Sequence, residues 1–245
     1  MKKLVIFSGT TEGRALSYRL ADKGAAVTVC VATGYGMEEQ GEHAGVTVLT
    51  GRKARPEMEA LLRDFSFCVD ATHPYAAEAS KNLRAACEAA NVPYCRLLRR
   101  ESAWKDAVVA SSAADAAEYL KTTEGNILLT TGSKELAAYA GLDANRLYPR
   151  VLPSHEGLAA CEAAGVPHRN IIAMQGPVSQ ELNEALLRQF DIAYVVTKDG
   201  GAAGGFPEKA RAAEAVGAEL IVLRRPEETG QTFEEVAALC EEWLK

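Results

Sequence analysis

A chain of 245 residues, set against roughly 150 residues per domain, has room for one large domain or two small ones and for a sizeable core. Its composition, 48% hydrophobic and 24% charged, is that of an ordinary globular protein and excludes disordered and fibrous architectures. The 27 basic against 33 acidic side chains leave a net charge of −6, which speaks against nucleic acid as a partner.

Short β-branched runs alternate with alanine-rich stretches of helical period, the pattern of strand–helix–strand units around a mainly parallel sheet. Strands are predicted over 4–8, 26–32, 46–50, 67–71, 94–98, 107–110, 126–130, 146–152, 171–173, 192–197 and 220–223. Helices are predicted over 12–23, 76–90, 113–121, 134–139, 155–164, 179–189, 206–216 and 232–244. The opening MKKLVIFSGTTEGR has a basic start, but its apolar stretch is short and runs into a glycine turn, so it reads as a first strand and not as a leader. No run approaches the length of a membrane span, and no membrane partner is expected.

The expected fold class is α/β, with two Rossmann-like subdomains, mainly parallel sheets and a ligand crevice between them. The polar and aromatic stretch RRESAWKD, 99–106, separates two sets of strands, so the expected division is 1–105, a nucleotide-binding subdomain, and 106–245. The six cysteines never fall as C-x-x-C, which suits buried thiols in a cytoplasmic protein. The four histidines lack metal-ligand spacing, and no metal site is expected.

The sharpest local signal is Ser8-Gly9-Thr10-Thr11-Glu12-Gly13-Arg14, a glycine turn between a strand and a helix whose backbone N–H groups suit a phosphate. Its spacing differs from the G-x-G-x-x-G dinucleotide fingerprint, and a hydroxyl N-cap explains it equally as a plain strand–helix turn. The second strand ends at Thr33-Gly34, without the acidic residue that bonds the ribose of NAD, which favours NADP if a nicotinamide binds. Arg52, Lys53 and Arg14 are the candidates for a 2′-phosphate, and solvated loop cations are the plain alternative.

After the fourth strand, Asp70-Ala71-Thr72-His73-Pro74-Tyr75 sets an acid, a hydroxyl, an imidazole and a phenol where α/β folds bind ligands. The residue before Pro74 is held extended, which aims His73 away from the following helix. Arg96, Arg99, Arg100 and Lys105 around Trp104 form a cationic patch that fits a flat polyanion, or an exposed linker. In the second half Thr130 to Lys134, Arg150 to Ser154 and Met174 to Ser179 are polar strand ends, and Lys198 opens the glycine-rich KDGGAAGG. Tyr194 and Lys198 match the Y-x-x-x-K dyad of short-chain dehydrogenases, but in a strand they stand roughly 13 Å apart. That reading is rejected.

The blocks GTTEGR, DATHPYA, RxxRRESAW, LLTTGSKEL, RVLPSHEGL, MQGPVSQELN and TKDGGAAGGFPEKARAA together resemble the precorrin-6A reductase family of corrin biosynthesis, in its cobalt-free and cobalt branches. One position departs from the family pattern, with Gly200 where a serine is more usual. The resemblance implies NADPH-dependent reduction of one double bond of an anionic tetrapyrrole, with hydride delivered to C19 and a proton to C18. It also implies hand-over to neighbouring corrin-pathway enzymes. On that reading Gly9, Thr10, Thr11, Gly13 and Arg14 cradle the cofactor, with Arg52, Ser133 and Lys134 as further contacts. His73, Tyr75 and Lys198 are the catalytic candidates, and Arg96, Arg99, Arg150 and Lys198 the substrate-binding ones. The alternatives are another NADPH-dependent reductase of a small anionic substrate and a non-catalytic NADPH-sensing module.

Overall fold

The computed structural model describes residues 3–98, 107–201 and 204–245. The chain forms two compact units, Met1–Arg100 with Pro226–Lys245, and Glu101–Arg225.

The first unit holds β1 (Leu4–Phe7), α1 (Thr11–Asp22), β2 (Val27–Val31), α2 (Gly34–Gln40), β3 (Val46–Thr50), α3 (Arg55–Leu62), β4 (Phe67–Asp70), α4 (Ala77–Ala90) and β5 (Tyr94–Arg96). Its strands run in the order β3-β2-β1-β4-β5, all parallel. Every residue of β1 is buried, as expected of a parallel strand with neighbours on both edges and helices on both faces. Leu4 and Ile6 pack with Leu16 and Leu20 of α1, while Val5 and Phe7 pack with Met58 and Leu62 of α3 and Leu83 and Ala86 of α4. The alternation is the two-residue period of a strand sorting side chains to two cores, each buried leucine stabilising by about 1.5–3 kcal/mol.

The second unit holds β6 (Val108–Ala110), α5 (Ala113–Leu120), β7 (Asn126–Leu129), β8 (Leu147–Val151), α6 (His155–Ala163), β9 (Ile172–Ala173), α7 (Gln180–Gln189), β10 (Ile192–Lys198), α8 (Phe206–Val216) and β11 (Glu219–Leu223). The sheet order is β6-β11-β10-β7-β8-β9, again all parallel. Ile127 and Leu129 face a core shared with α5 and α6, and Leu128 faces one shared with α7 and α8.

Pro226–Lys245 belongs to the first unit, which corrects the expected division at residue 105. Gln231 forms a parallel bridge with Leu97, and Gly230 lies so close to the strand that a Cβ there would stand 2.7 Å from the Arg96 carbonyl oxygen. The last helix, α9 (Phe233–Leu244), then lays Val236, Ala237 and Cys240 into the core containing Leu16 and Leu20. Arg19 of α1 ties it down through Glu234 and Glu241.

All eleven predicted strands are present, with ends shifted by a residue or two. Two helices were not predicted. Helix α2 carries two glycines in seven residues, and α3 has no side-chain N-cap, its first turn being closed by Glu57 accepting the Ala54 amide at 2.6 Å. The predicted helix at 134–139 is a 3₁₀ helix, Ser133–Tyr139. All six cysteines are buried and unpaired, and burial pushes the Cys30 and Cys95 thiols up to about 11 and Cys240 to about 12. Among the described residues no helix is long and apolar enough to cross a membrane.

Candidate active site

In a parallel sheet, ligands bind beyond the carboxyl ends of the strands where the strand order reverses. In the first unit that point lies between β1 and β4. There Thr10 caps α1, accepting the Gly13 amide at 3.1 Å while its hydroxyl donates to the Ala71 carbonyl at 2.8 Å. One residue thereby ties the β1 turn to the end of β4. Among the described residues the amides of Gly9, Thr10 and Thr11 carry no hydrogen bond, and a Cβ on Gly9 (φ +134°) would meet only open space. Gly13 acts differently, since a Cβ there would stand 2.3 Å from Ser8 Oγ and 3.0 Å from Ala71 Cβ. Its absence of a side chain lets α1 approach the sheet, and Ser8 Oγ is left buried with no hydrogen-bond partner among the described residues.

The Arg14 amide bonds the Thr10 carbonyl within the helix, and its guanidinium donates to the Glu39 carbonyl at 2.6 Å. The Gly13 and Arg14 amides are therefore already bonded, and those of Gly9 to Thr11 are the open ones in this turn among the described residues. Arg52 and Lys53 follow β3, two strands from β1 and about 10 Å away by strand spacing. Arg52 is exposed there.

At the end of β4, Asp70 is fully buried, and its Oδ1 accepts the Thr72 amide and hydroxyl, an Asx turn that re-aims the chain. His73 and Tyr75 are partly exposed beyond it, their rings 5.7 Å apart. The Tyr75 amide donates to His73 Nδ1 at 3.3 Å. Arg96 is corrected more strongly, because it is 3% exposed and spends its guanidinium on Asp70, Glu228 and the Thr72 carbonyl. An arginine consumed in this way braces the turn and offers nothing to a substrate rim. Arg99 lies outside the described residues.

The second unit reverses its strand order between β7 and β10. After β7, Gly132 (φ +88°) opens the 3₁₀ helix, with Ser133 half-buried and Lys134 exposed. After β10, Lys198 Nζ meets Glu135 Oε1 at 2.8 Å, so the two strand ends are bridged. Asp199 then repeats what Asp70 does, its Oδ1 accepting the Gly201 amide and its Oδ2 pairing with the buried Arg225. Arg150 points to the α7 side of the sheet, donating to Asn183 Oδ1 at 2.7 Å. Tyr194 and Lys198 both lie in β10, an extended strand, so the rejected dyad does not form. Among the described residues no group of three or more histidine, cysteine or acidic side chains is gathered as a metal site.

The family model for "Precorrin-6x reductase CbiJ/CobK" matches residues 3–243. This chain belongs to that family. The cobalt-precorrin-6A reductase of Priestia megaterium is 35% identical over 245 residues, covering 95% of this chain and 96% of the relative. That of Salmonella typhimurium is 37% identical over 230 residues, covering 91% and 87%, and the precorrin-6A reductase of Rhodococcus erythropolis is 30% identical over 240 residues, covering 92% and 90%. A solved CobK precorrin-6A reductase superposes with a TM-score of 0.78 at 25% identity, over 99% of this chain and 97% of that one. The family member described here is thus an oxidoreductase acting on a C=C bond in corrin biosynthesis, and its substrate is a precorrin tetrapyrrole.

Several participants were not singled out from sequence. The strand-brace residues Glu228 and Arg225 lie far along the chain from the loops they hold, and the order of the sheets alone brings them there. Asn183 and Glu135, which orient Arg150 and Lys198, looked like surface positions of ordinary helices.

Proposed function

We propose that the chain catalyses NADPH-dependent reduction of one double bond of precorrin-6A or its cobalt form to the 6B macrocycle, with hydride to C19 and a proton to C18. The relatives at 35% and 37% identity are named for the cobalt form, which favours that substrate. The observation that carries the cofactor reading is the row of unpaired amides at Gly9, Thr10 and Thr11, at the start of α1 and at the reversal between β1 and β4. Three N–H groups and a helix N-terminus suit a pyrophosphate.

The open space over Gly9 and the unpartnered Ser8 hydroxyl beneath the turn fit a bound phosphate in the same place. The end of β2, Ala32-Thr33, presents no carboxylate to reject a 2′-phosphate. NADPH supplies the hydride when bound. The chain supplies the rest: Thr10 keeps the turn in register with β4, and the Asp70 turn presents His73 and Tyr75 on the same strand end, where they hold or move the proton. Ser133 and Lys134 are further anion contacts on the second unit, and Arg150 and Lys198 contacts for macrocycle carboxylates.

Anaerobic incubation of the purified chain with NADPH and each macrocycle, following nicotinamide and corrin absorbance together, tests this. Coupled loss with NADPH and little with NADH is expected. Tight NADPH binding with no change in either macrocycle contradicts it.

A further inference from the structure

Lys209 stands in the first turns of α8 and is 8% exposed. Among the described residues its ammonium makes no hydrogen bond and no ion pair. Burial of such a charge is unfavourable unless something compensates it. The neighbouring carboxylate, Asp199, is already spent on Arg225 at 3.1 Å and on the Gly201 amide at 2.9 Å. Glu208 is paired with Arg211 at 2.9 Å.

A second cation adds to the imbalance. Arg150, on β8, reaches α7, the helix that packs along α8, and its guanidinium is held there by the neutral Asn183 side-chain carbonyl with no carboxylate partner among the described residues. Burial draws Arg150 down to about 10, and burial followed by Arg150 draws Lys209 down to about 8. Lys209 is thus faced by two carboxylates, Asp199 and Glu208, that are already paired with Arg225 and Arg211, and by a further cation, Arg150.

The position is where a ligand is expected. Arg150 is the last residue but one of β8, the strand beside β7, and Lys209 follows the glycine loop after β10, so the two flank the strand-order reversal of the second sheet from either side. The loop before α7 closes on the same glycine segment, since a Cβ on Gly205 would stand 3.2 Å from Pro177 Cβ.

We propose that Arg150 and Lys209 form an oxyanion subsite on the second unit that takes a carboxylate of the macrocycle. The oxyanion chemistry is shared by a cofactor phosphate, and the assignment to the macrocycle rests on the function proposed above. A guanidinium fixed by Asn183 sets the plane of the bound group, and the ammonium neutralises it.

Two arms test the subsite and its occupant. In the first, thermal unfolding of the full chain is followed against sodium citrate, with sodium chloride at matched ionic strength as control. Wild type should gain stability saturably with citrate. Lys209→Met should unfold no lower than wild type without citrate and lose the gain; Arg150→Gln, which retains a hydrogen-bonding group towards Asn183, should lose it as well. Retention of the citrate response in both variants, or a lowered unfolding temperature of Lys209→Met without citrate, overturns the subsite. In the second arm both variants should raise KM for the macrocycle at least tenfold and leave NADPH affinity, read by nicotinamide fluorescence without macrocycle, within twofold. Weakened NADPH binding with an unchanged macrocycle KM overturns the assignment to the macrocycle. The citrate arm needs no turnover, so a failure of the proposed reductase reaction is told apart from a failure of the subsite.

Discussion

Asp70 and Arg96 face one another as the last register pair of β4 and β5 and are joined inside the protein by a 3.1 Å ion pair. Asp199 and Arg225 repeat the relationship at the end of β10, again with the arginine bonding the carbonyl of the same aspartate and the carboxylate accepting the amide two residues on. Each unit thus stiffens the strand end at its own reversal point with a buried Asp–Arg brace.

Removing one partner of such a brace strands the other in a low-dielectric interior. Arg96→Met is expected to destabilise the first unit by about 3–5 kcal/mol, read from urea unfolding. Arg96→Lys should recover little, because one ammonium cannot reach Asp70, Glu228 and the Thr72 carbonyl together. A loss of under about 1 kcal/mol, the size expected of a surface pair, contradicts the brace.

The two glycines of the first turn should separate in their effects. Gly13→Ala places a Cβ against Ser8 and Ala71, so unfolding is expected at lower stability, by about 1–3 kcal/mol, with weaker NADPH binding as α1 is pushed off the sheet. Gly9→Ala meets no neighbour but strains the backbone at φ +134° and fills the open cradle. Its expected signature is a loss of NADPH affinity of at least tenfold. Equal NADPH affinity in wild type and Gly9→Ala would remove the cradle from the account.

The docking of α9 should weaken in acid. The Thr232 amide and hydroxyl hold Glu235 below the ordinary carboxylate range, and Lys23 and then Arg19 do the same for Glu241. A carboxyl depressed in the folded state stabilises above its unfolded pKa, about 4.3, and that contribution disappears as pH falls through the folded value. Protection of α9 amides, with the intrinsic exchange rate at each pH divided out, should therefore fall below about pH 4, and Glu235→Gln with Glu241→Gln should flatten the response. Acid-insensitive protection of α9 in wild type contradicts this.

Much of the fold was legible because short continuous apolar, β-branched runs between alanine-rich helical stretches leave few alternatives, and Leu4 to Phe7 or Ile192 to Thr197 have nowhere to go but a parallel sheet. The fate of α9 was not legible. Its apolar face suits either core, and Gly230 against Arg96 is a long-range fit that no local pattern announces. The site divides the same way. The Ser8 to Gly13 segment is local and forms the expected strand–helix turn; Arg96 was misassigned because a sequence shows a cation but not the buried aspartate opposite it. Lys209 was passed over because a lysine in an alanine-rich helix ordinarily faces water.

His73 and Tyr75 share one strand end, and the role proposed for them has a pH signature. His73→Ala or Tyr75→Phe should lower kcat by about 10²–10⁴ if that side chain delivers the proton, with an altered pH profile and little change in NADPH affinity. Unchanged turnover and pH profile in both variants would assign the proton to solvent.

The most direct test of the central claim is transfer of label. Under anaerobic conditions, wild-type protein given NADPH deuterated at the reactive C4 position and the cobalt macrocycle should yield a reduced product carrying one deuterium, placed at C19 by NMR. A reduced macrocycle without label, or label at another ring carbon, contradicts the proposed reaction.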